Sequence, residues 1–131
     1  MSTRSDLRKQ VMVTLYQVFL YEKNNFEFDL KDLIKDNIKN DDPFACLIIN
    51  GVLEHINDID KIANKNLSNW SIDRLGQTDQ AILRMGIFEL LYTDTPEIVA
   101  INEAVELSKK FSDNDVYKMI NGVLDKIYKG K

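Results

Sequence analysis

Cysteine and histidine are almost missing from this chain: among 131 residues each occurs once, as Cys46 and His55. A single thiol excludes an internal disulfide, so stability has to come from packing, and a reducing, cytoplasmic setting fits. One residue of each kind also excludes a zinc set of Cys and His, and no metal or cofactor is expected. Two prolines and five glycines are too few for a repeat-rich β architecture or a flexible linker protein. Long apolar runs are lacking too, since no uncharged stretch approaches the ~18 residues of a membrane span. The run Gln10–Tyr21 behind Arg4, Arg8 and Lys9 has the outline of a secretion signal. Gln10, Thr14 and Gln17 interrupt it, however, and Glu22-Lys23-Asn24-Asn25 follows where small residues belong. It reads as a helix of the mature fold. G-x-G-x-x-G, phosphate-loop and G-x-S-x-G motifs do not occur. Glu54 and Asp58, four apart on one helical face, have no base or nucleophile to work with. An enzyme is not expected; a binding module or a structural interaction protein is.

What is present is ordinary globular material, 44% hydrophobic and 29% charged, enough for one domain spanning 1–131 with a sizeable core. The formal net charge of −4 excludes a protein that coats nucleic acid through bulk charge. The charge is unevenly spread. The first ten residues carry Arg4, Arg8 and Lys9 against Asp6, and residues 109–131 carry six lysines against Asp113, Asp115 and Asp125. Between 27 and 60, nine carboxylates face only Lys31, Lys35 and Lys39. Basic ends on an acidic protein form a basic patch if they meet in space, and scattered solvated lysines if they do not.

Helical periodicity runs from end to end. Leu7, Val11, Leu15, Val18 and Phe19 mark one buried face, with Thr3 and Asp6 as a capping box and Asn24-Asn25 as a stop. Leu30, Leu33, Ile34 and Ile38 follow a capping Asp29. Asp42-Pro43 is a strong start signal, and behind it Phe44, Leu47, Ile48, Gly51, Val52, His55, Ile56 and Ile59 form the cleanest stripe. Gly51 inside that stripe predicts a helix crossing closely there. His55, on the same stripe, reads as a packed histidine with a local hydrogen bond. A short helix through Ile59, Ile62 and Leu67 ends at Ser68-Asn69, and Trp70–Leu75 is ambiguous. From Gly76 or Thr78, residues 81–91 are apolar nearly all round, which predicts a central helix. Two more helices, 99–111 and 116–128, flank Ser112-Asp113-Asn114. The expectation is an all-α fold of about seven helices.

The binding chemistry on offer is at the ends. Arg4 and Arg8 project from one side of the first helix, with Lys9 beside them and Tyr16 two turns beyond Lys9. Arginines supply forked donors for phosphate oxygens, and an aromatic ring stacks an unpaired base. The same residues equally suit a solvated surface with a tyrosine rim, so both readings stand at this point. Lys109, Lys110 and Lys118 complete a basic patch if the last helix packs beside the first.

The run Val99-Ala100-Ile101-Asn102-Glu103-Ala104-Val105-Glu106-Leu107-Ser108-Lys109-Lys110-Phe111, followed by Ile120-Asn121-Gly122-Val123-Leu124-Asp125-Lys126, resembles the NusB family of bacterial transcription antitermination factors. Residues 81–91 and the opening from Arg8 to Leu15-Tyr16-Gln17 fit the same family, and only 24–65 is uncharacteristic. The resemblance implies two small packed helical bundles. It also implies binding of boxA-like single-stranded RNA together with the ribosomal protein NusE, in an RNA polymerase complex with NusA and NusG that supports ribosomal RNA transcription. The family's arginine-rich segment maps onto Arg4, Ser5, Asp6 and Arg8, with Ser5 and Asp6 in place of basic residues. Its RNA-contacting tyrosine falls on Tyr16, the contacts from the last helix fall on Asp115 to Lys118, and its partner-facing acidic positions fall on Asp73 and Asp79. NusB-like domains also begin ribosomal RNA cytosine methyltransferases; with 131 residues and no room for a catalytic domain, a free-standing factor is the expectation and such an RNA-binding domain an alternative. A helical interaction module without RNA binding is the other alternative.

Overall fold

The computed structural model describes residues 3–131. Seven α-helices follow one another: α1 (Arg4–Lys23), α2 (Leu30–Asn37), α3 (Pro43–Glu54), α4 (Ile56–Asn66), α5 (Gln77–Tyr92), α6 (Glu97–Phe111) and α7 (Val116–Lys129). Short 3-10 turns lie at Lys39–Asp41 and Ile72–Arg74, and no strand occurs among the described residues.

Local chemistry sets the helix starts. Thr3 accepts from the Asp6 amide at 3.1 Å while Asp6 accepts from the Thr3 amide at 3.2 Å, closing a capping box on α1. Those Thr3 hydrogen bonds, backbone first, hold the Asp6 carboxyl below its ordinary pKa. Asp29 accepts from the Lys31 amide at 2.8 Å, and Asp42 accepts from the Ala45 amide at 3.1 Å ahead of Pro43. Asparagine, with one aspartate, makes the left-handed turns: Asn25, Asn40, Asp41, Asn69 and Asn114 all have positive φ. Asn is among the few non-glycine residues that tolerate that region.

The core is continuous, and α5 runs through its middle with every residue from Ala81 to Leu90 buried. It packs on α1 and α3 in one bundle, to which α2 adds, and on α4, α6 and α7 in the other. At Gly51 the crossing is as close as the sequence implies. A Cβ there would stand 2.1 Å from Cζ of Phe88 on α5, so a side chain has to displace that ring, at about 1–3 kcal/mol for overpacking.

Three details differ from the periodicity. The stripe from Phe44 to Ile59 is two helices, broken at His55, whose φ of −104° and ψ of 18° leave the helical region. The His55 ring packs by stacking, 4.6 Å from Tyr92 and 6.4 Å from Phe88. Helix α6 starts two residues before Val99, because Pro96 at its N-cap cannot continue the preceding chain as helix. The ambiguous segment from Trp70 holds only the one 3-10 turn.

Candidate nucleic-acid interface

Arg4 and Arg8 share a flank of α1 but not an environment. Arg8 is 2% exposed. Its Nε donates to Glu89 Oε1 at 2.6 Å and its second terminal nitrogen to Glu89 Oε2 at 2.8 Å, the forked pairing that suits guanidinium to carboxylate. The other terminal nitrogen donates to Glu103 Oε1 at 3.1 Å, and the Ser5 hydroxyl donates to the same oxygen at 2.5 Å. Burial alone pulls the Arg8 pKa down, but the Glu89 hydrogen bond and the charges of Glu89 and Glu103 outweigh it and raise the pKa above its ordinary value. Arg8 is therefore buried and paired, where the sequence expectation had it project from the surface beside Arg4. A buried cation has to be paired, and its pairs lie on α5 and α6.

Arg4 remains at the surface, its guanidinium 4.3 Å from the centroid of the Phe44 ring. Lys9 is exposed on the other side of the first turns, with its ammonium 5.7 Å from the Phe111 ring centroid at the end of α6. Lys9, Lys110 and Phe111 border one notch of about 70 Å³ between α1 and α6. Around the α6–α7 turn, the Lys109 ammonium lies 5.2 Å from the Tyr117 ring centroid. Lys118 is exposed one residue further on and pairs with Asp115 at 3.5 Å. Tyr16 is half-buried two turns along α1 from Lys9.

The basic chain ends thus approach each other, but not by the route expected. Helix α7 packs on α6, α5 and α4, and the basic start of α1 reaches the end of α6 through Lys9 and Phe111. Two aromatic residues stand beside these lysines: Phe111, 40% exposed, which the sequence expectation did not name as a site residue, and half-buried Tyr117, which falls within the expected Asp115 to Lys118 contacts. Their signal is adjacency, Lys109-Lys110-Phe111 and Tyr117-Lys118, an aromatic ring beside a cation at each end of one turn. Asp115 occupies the N-cap position of α7 without a side-chain capping bond. Its backbone carbonyl accepts from the Lys118 amide at 2.9 Å, while the carboxylate faces the Lys118 ammonium.

The two acidic positions separate. Asp79, half-buried in the first turn of α5, accepts from the Ser112 hydroxyl at 2.5 Å and so ties α5 to the α6–α7 turn. It also lines a cavity of about 490 Å³ with Leu67, Trp70, Leu75, Met119 and Gly122. Trp70 is 57% exposed at its edge, and a Cβ on Gly122 meets nothing within 4 Å. Asp73 is exposed, accepts from the Ser71 hydroxyl, and borders a different groove beside Gln77, Gln80 and Arg84. The Leu75-Gly76 turn lies between the two in the chain.

A family model described as the NusB family matches residues 5–129. A transcription antitermination protein NusB from an Exiguobacterium species is 45% identical over 127 residues, covering 96% of this chain and 97% of that protein. One from Campylobacter jejuni is 41% identical over 132 residues, covering 100% and 99%. Among solved structures, NusB of T. maritima superimposes with a TM-score of 0.85 at 30% identity, over 98% of this chain and 92% of that one. The complex of antitermination factors NusB and NusE with double-stranded RNA contains a chain matching with a TM-score of 0.78 at 31% identity, over 98% and 97%. The likeness runs from the first turns of α1 to the end of α7 and takes in both the lysine-and-aromatic face and the Asp79 cavity; the chain belongs to the NusB family.

Proposed function

We propose that this chain is an RNA-binding transcription antitermination factor. It binds boxA-type single-stranded RNA together with the ribosomal protein NusE, and joins RNA polymerase with NusA and NusG during ribosomal RNA transcription. The observation that carries this reading is the pairing of cation and ring around the α6–α7 turn, Lys9 with Phe111 and Lys109 with Tyr117, with Lys110 and Lys118 exposed next to them in the chain, on a protein of net charge −4. Cations beside an exposed Phe111 and a half-buried Tyr117 suit a strand whose phosphates and unpaired bases are both within reach. Arg4 and Tyr16 extend the face along α1. The partner surface is the Asp79 cavity, where a carboxylate beside an apolar hollow suits a basic protein that inserts an apolar side chain. Asp73 steers from the neighbouring groove.

The test is titration of a boxA-type single strand and of its duplex, each with and without NusE. The expected result is tighter binding of the single strand, tightest with NusE, falling with salt by a slope of about −0.7 per phosphate neutralised. Absence of RNA binding under all four conditions overturns the proposal. Charge reversal by Asp79→Lys is expected to weaken NusE capture and leave RNA binding by the chain alone unchanged. Undiminished capture would remove the cavity from the partner surface.

A further inference from the structure

The RNA face depends on where the first two turns of α1 lie, because Arg4 and Lys9 both come from them. A helix N-terminus has unpaired amides and frays readily unless something holds it. Here Thr3 and Asp6 cap the end, and the hold that fixes it against the rest of the molecule is built from four helices. The Arg8 fork grips Glu89 on α5, its remaining terminal nitrogen and the Ser5 hydroxyl share one oxygen of Glu103 on α6, and its guanidinium lies 5.1 Å from the Phe44 ring on α3. Arg4 rests on that same Phe44 ring. The side chains of Arg8 and Glu89 are each 3% exposed, so neither is placed to meet a ligand.

We propose that Arg8 is a positioning residue for RNA binding. Its buried guanidinium clamps the start of α1 to Glu89 and Glu103 and so fixes where Arg4 and Lys9 stand, without itself touching RNA. This rests on the RNA-binding reading above. It assigns roles to Glu89 and Glu103 as well, and it distinguishes two arginines that a motif treats alike. An arginine is required at this position because a lysine ammonium carries the charge but not the fork that spans both oxygens of Glu89.

The two roles open to Arg8 predict opposite signs. If it positions, removing a carboxylate partner loosens α1 and weakens RNA binding. If it contacts phosphate, removing that carboxylate frees the cation and strengthens binding. The experiment titrates a boxA-type single-stranded oligoribonucleotide against the full chain and against Glu89→Gln, Glu103→Gln and Arg8→Lys, at several salt concentrations and at a temperature where circular dichroism shows each folded. Amide hydrogen exchange of residues 5–9 is followed without RNA.

Each variant is expected to bind RNA at least roughly fivefold more weakly, the size of a modest coupling between linked positions. The two Gln variants should keep the parent's salt slope, and exchange at the start of α1 should rise in all three. Glu103→Gln, at a half-buried arm of the network, serves if Glu89→Gln fails to fold. Tighter binding with a steeper slope in either Gln variant, or full retention by Arg8→Lys, overturns the inference. So does unchanged affinity in folded variants beside a binding parent, which leaves Arg8 a stabilising residue only. A parent that binds no RNA overturns the RNA reading itself, and this inference with it.

Discussion

Two regions meet along α1, and they put the same kind of charge to different uses. Beneath the helix, Arg8 is closed in with Glu89 and Glu103; at its surface, Arg4 and Lys9 lie against the rings of Phe44 and Phe111 with their cations open to solvent. Helix α5 contains a second buried set of the first kind, in which Arg84 forks onto Asp60 at 2.8 and 2.9 Å and donates to Gln80 at 3.0 Å. Burial decides the difference. A desolvated guanidinium has a large penalty to offset and is bound to its partners permanently, whereas an exposed cation beside a ring is weakly held and free to exchange water for phosphate. The buried groups fix geometry, and the exposed ones are available for binding.

The comparison breaks first at stability. Glu89→Ala leaves the Arg8 cation with only the half-buried Glu103, and breaking a buried pair in this way is expected to destabilise by about 3–5 kcal/mol. Arg4→Ala should fall within about 0.5 kcal/mol of the parent, as surface substitutions do. Urea unfolding of both variants beside the parent measures the gap. Equal losses in the two would mean that the environments of Arg4 and Arg8 are not different in the way their contacts indicate.

Much of this could be read from the chain before any coordinates. The apolar rhythm of α1, the capping residues Thr3, Asp29 and Asp42, the close crossing at Gly51 and the central place of α5 are all local signals, and each is where its signal put it. The fate of Arg8 was not legible, because Glu89 lies 81 positions away and no local pattern reports a partner at that distance. One hint was there: Glu89 and Arg84 are charges inside a helix otherwise apolar on all sides, and a charge so placed must find an opposite one. The break at His55 was hidden for another reason. Apolar spacing continues across it, so periodicity reports a shared buried face and not an unbroken axis. Phe111 was missed because it resembles a core residue by type, and only its exposure distinguishes it.

The exposed region is sharpened by separating its rings from its cations. Phe111→Ala and Tyr117→Ala each remove a stacking surface, expected to weaken RNA binding by about 1–3 kcal/mol per stacked base with little change in salt dependence. Arg4→Ala with Lys9→Ala removes two charges, and should flatten the salt slope by about 1.4, two phosphates at roughly 0.7 each. Titrations at several salt concentrations read both effects. Rings that change only the slope, or cations that change only the intercept, would reverse the division of labour proposed for this face.

The smallest effect is expected at Asp115, and its sign tests the face most finely. The carboxylate stands 3.5 Å from the Lys118 ammonium, with both side chains exposed, and it makes no capping bond to α7. Its contributions to the fold are therefore modest: an exposed pair contributes about 0–1 kcal/mol, and a negative charge at a helix N-terminus about 0.3–1 kcal/mol. Toward RNA it is expected to oppose binding twice, by occupying Lys118 and by repelling the backbone, at about 1 kcal/mol for unit charges 4 Å apart in water. Asp115→Asn relieves both. It is expected to bind the single strand about fivefold more tightly at low salt, where 1.4 kcal/mol is tenfold, with a small loss of stability from the missing charge. High salt should erase most of the gain, since screening already weakens the repulsion that the substitution removes. A carboxylate that accepts a hydrogen bond from a base edge predicts the reverse, weaker binding at every salt concentration. RNA titrations of the parent and Asp115→Asn at low and high salt distinguish the two, and weaker binding at both would place Asp115 among the residues that read the RNA.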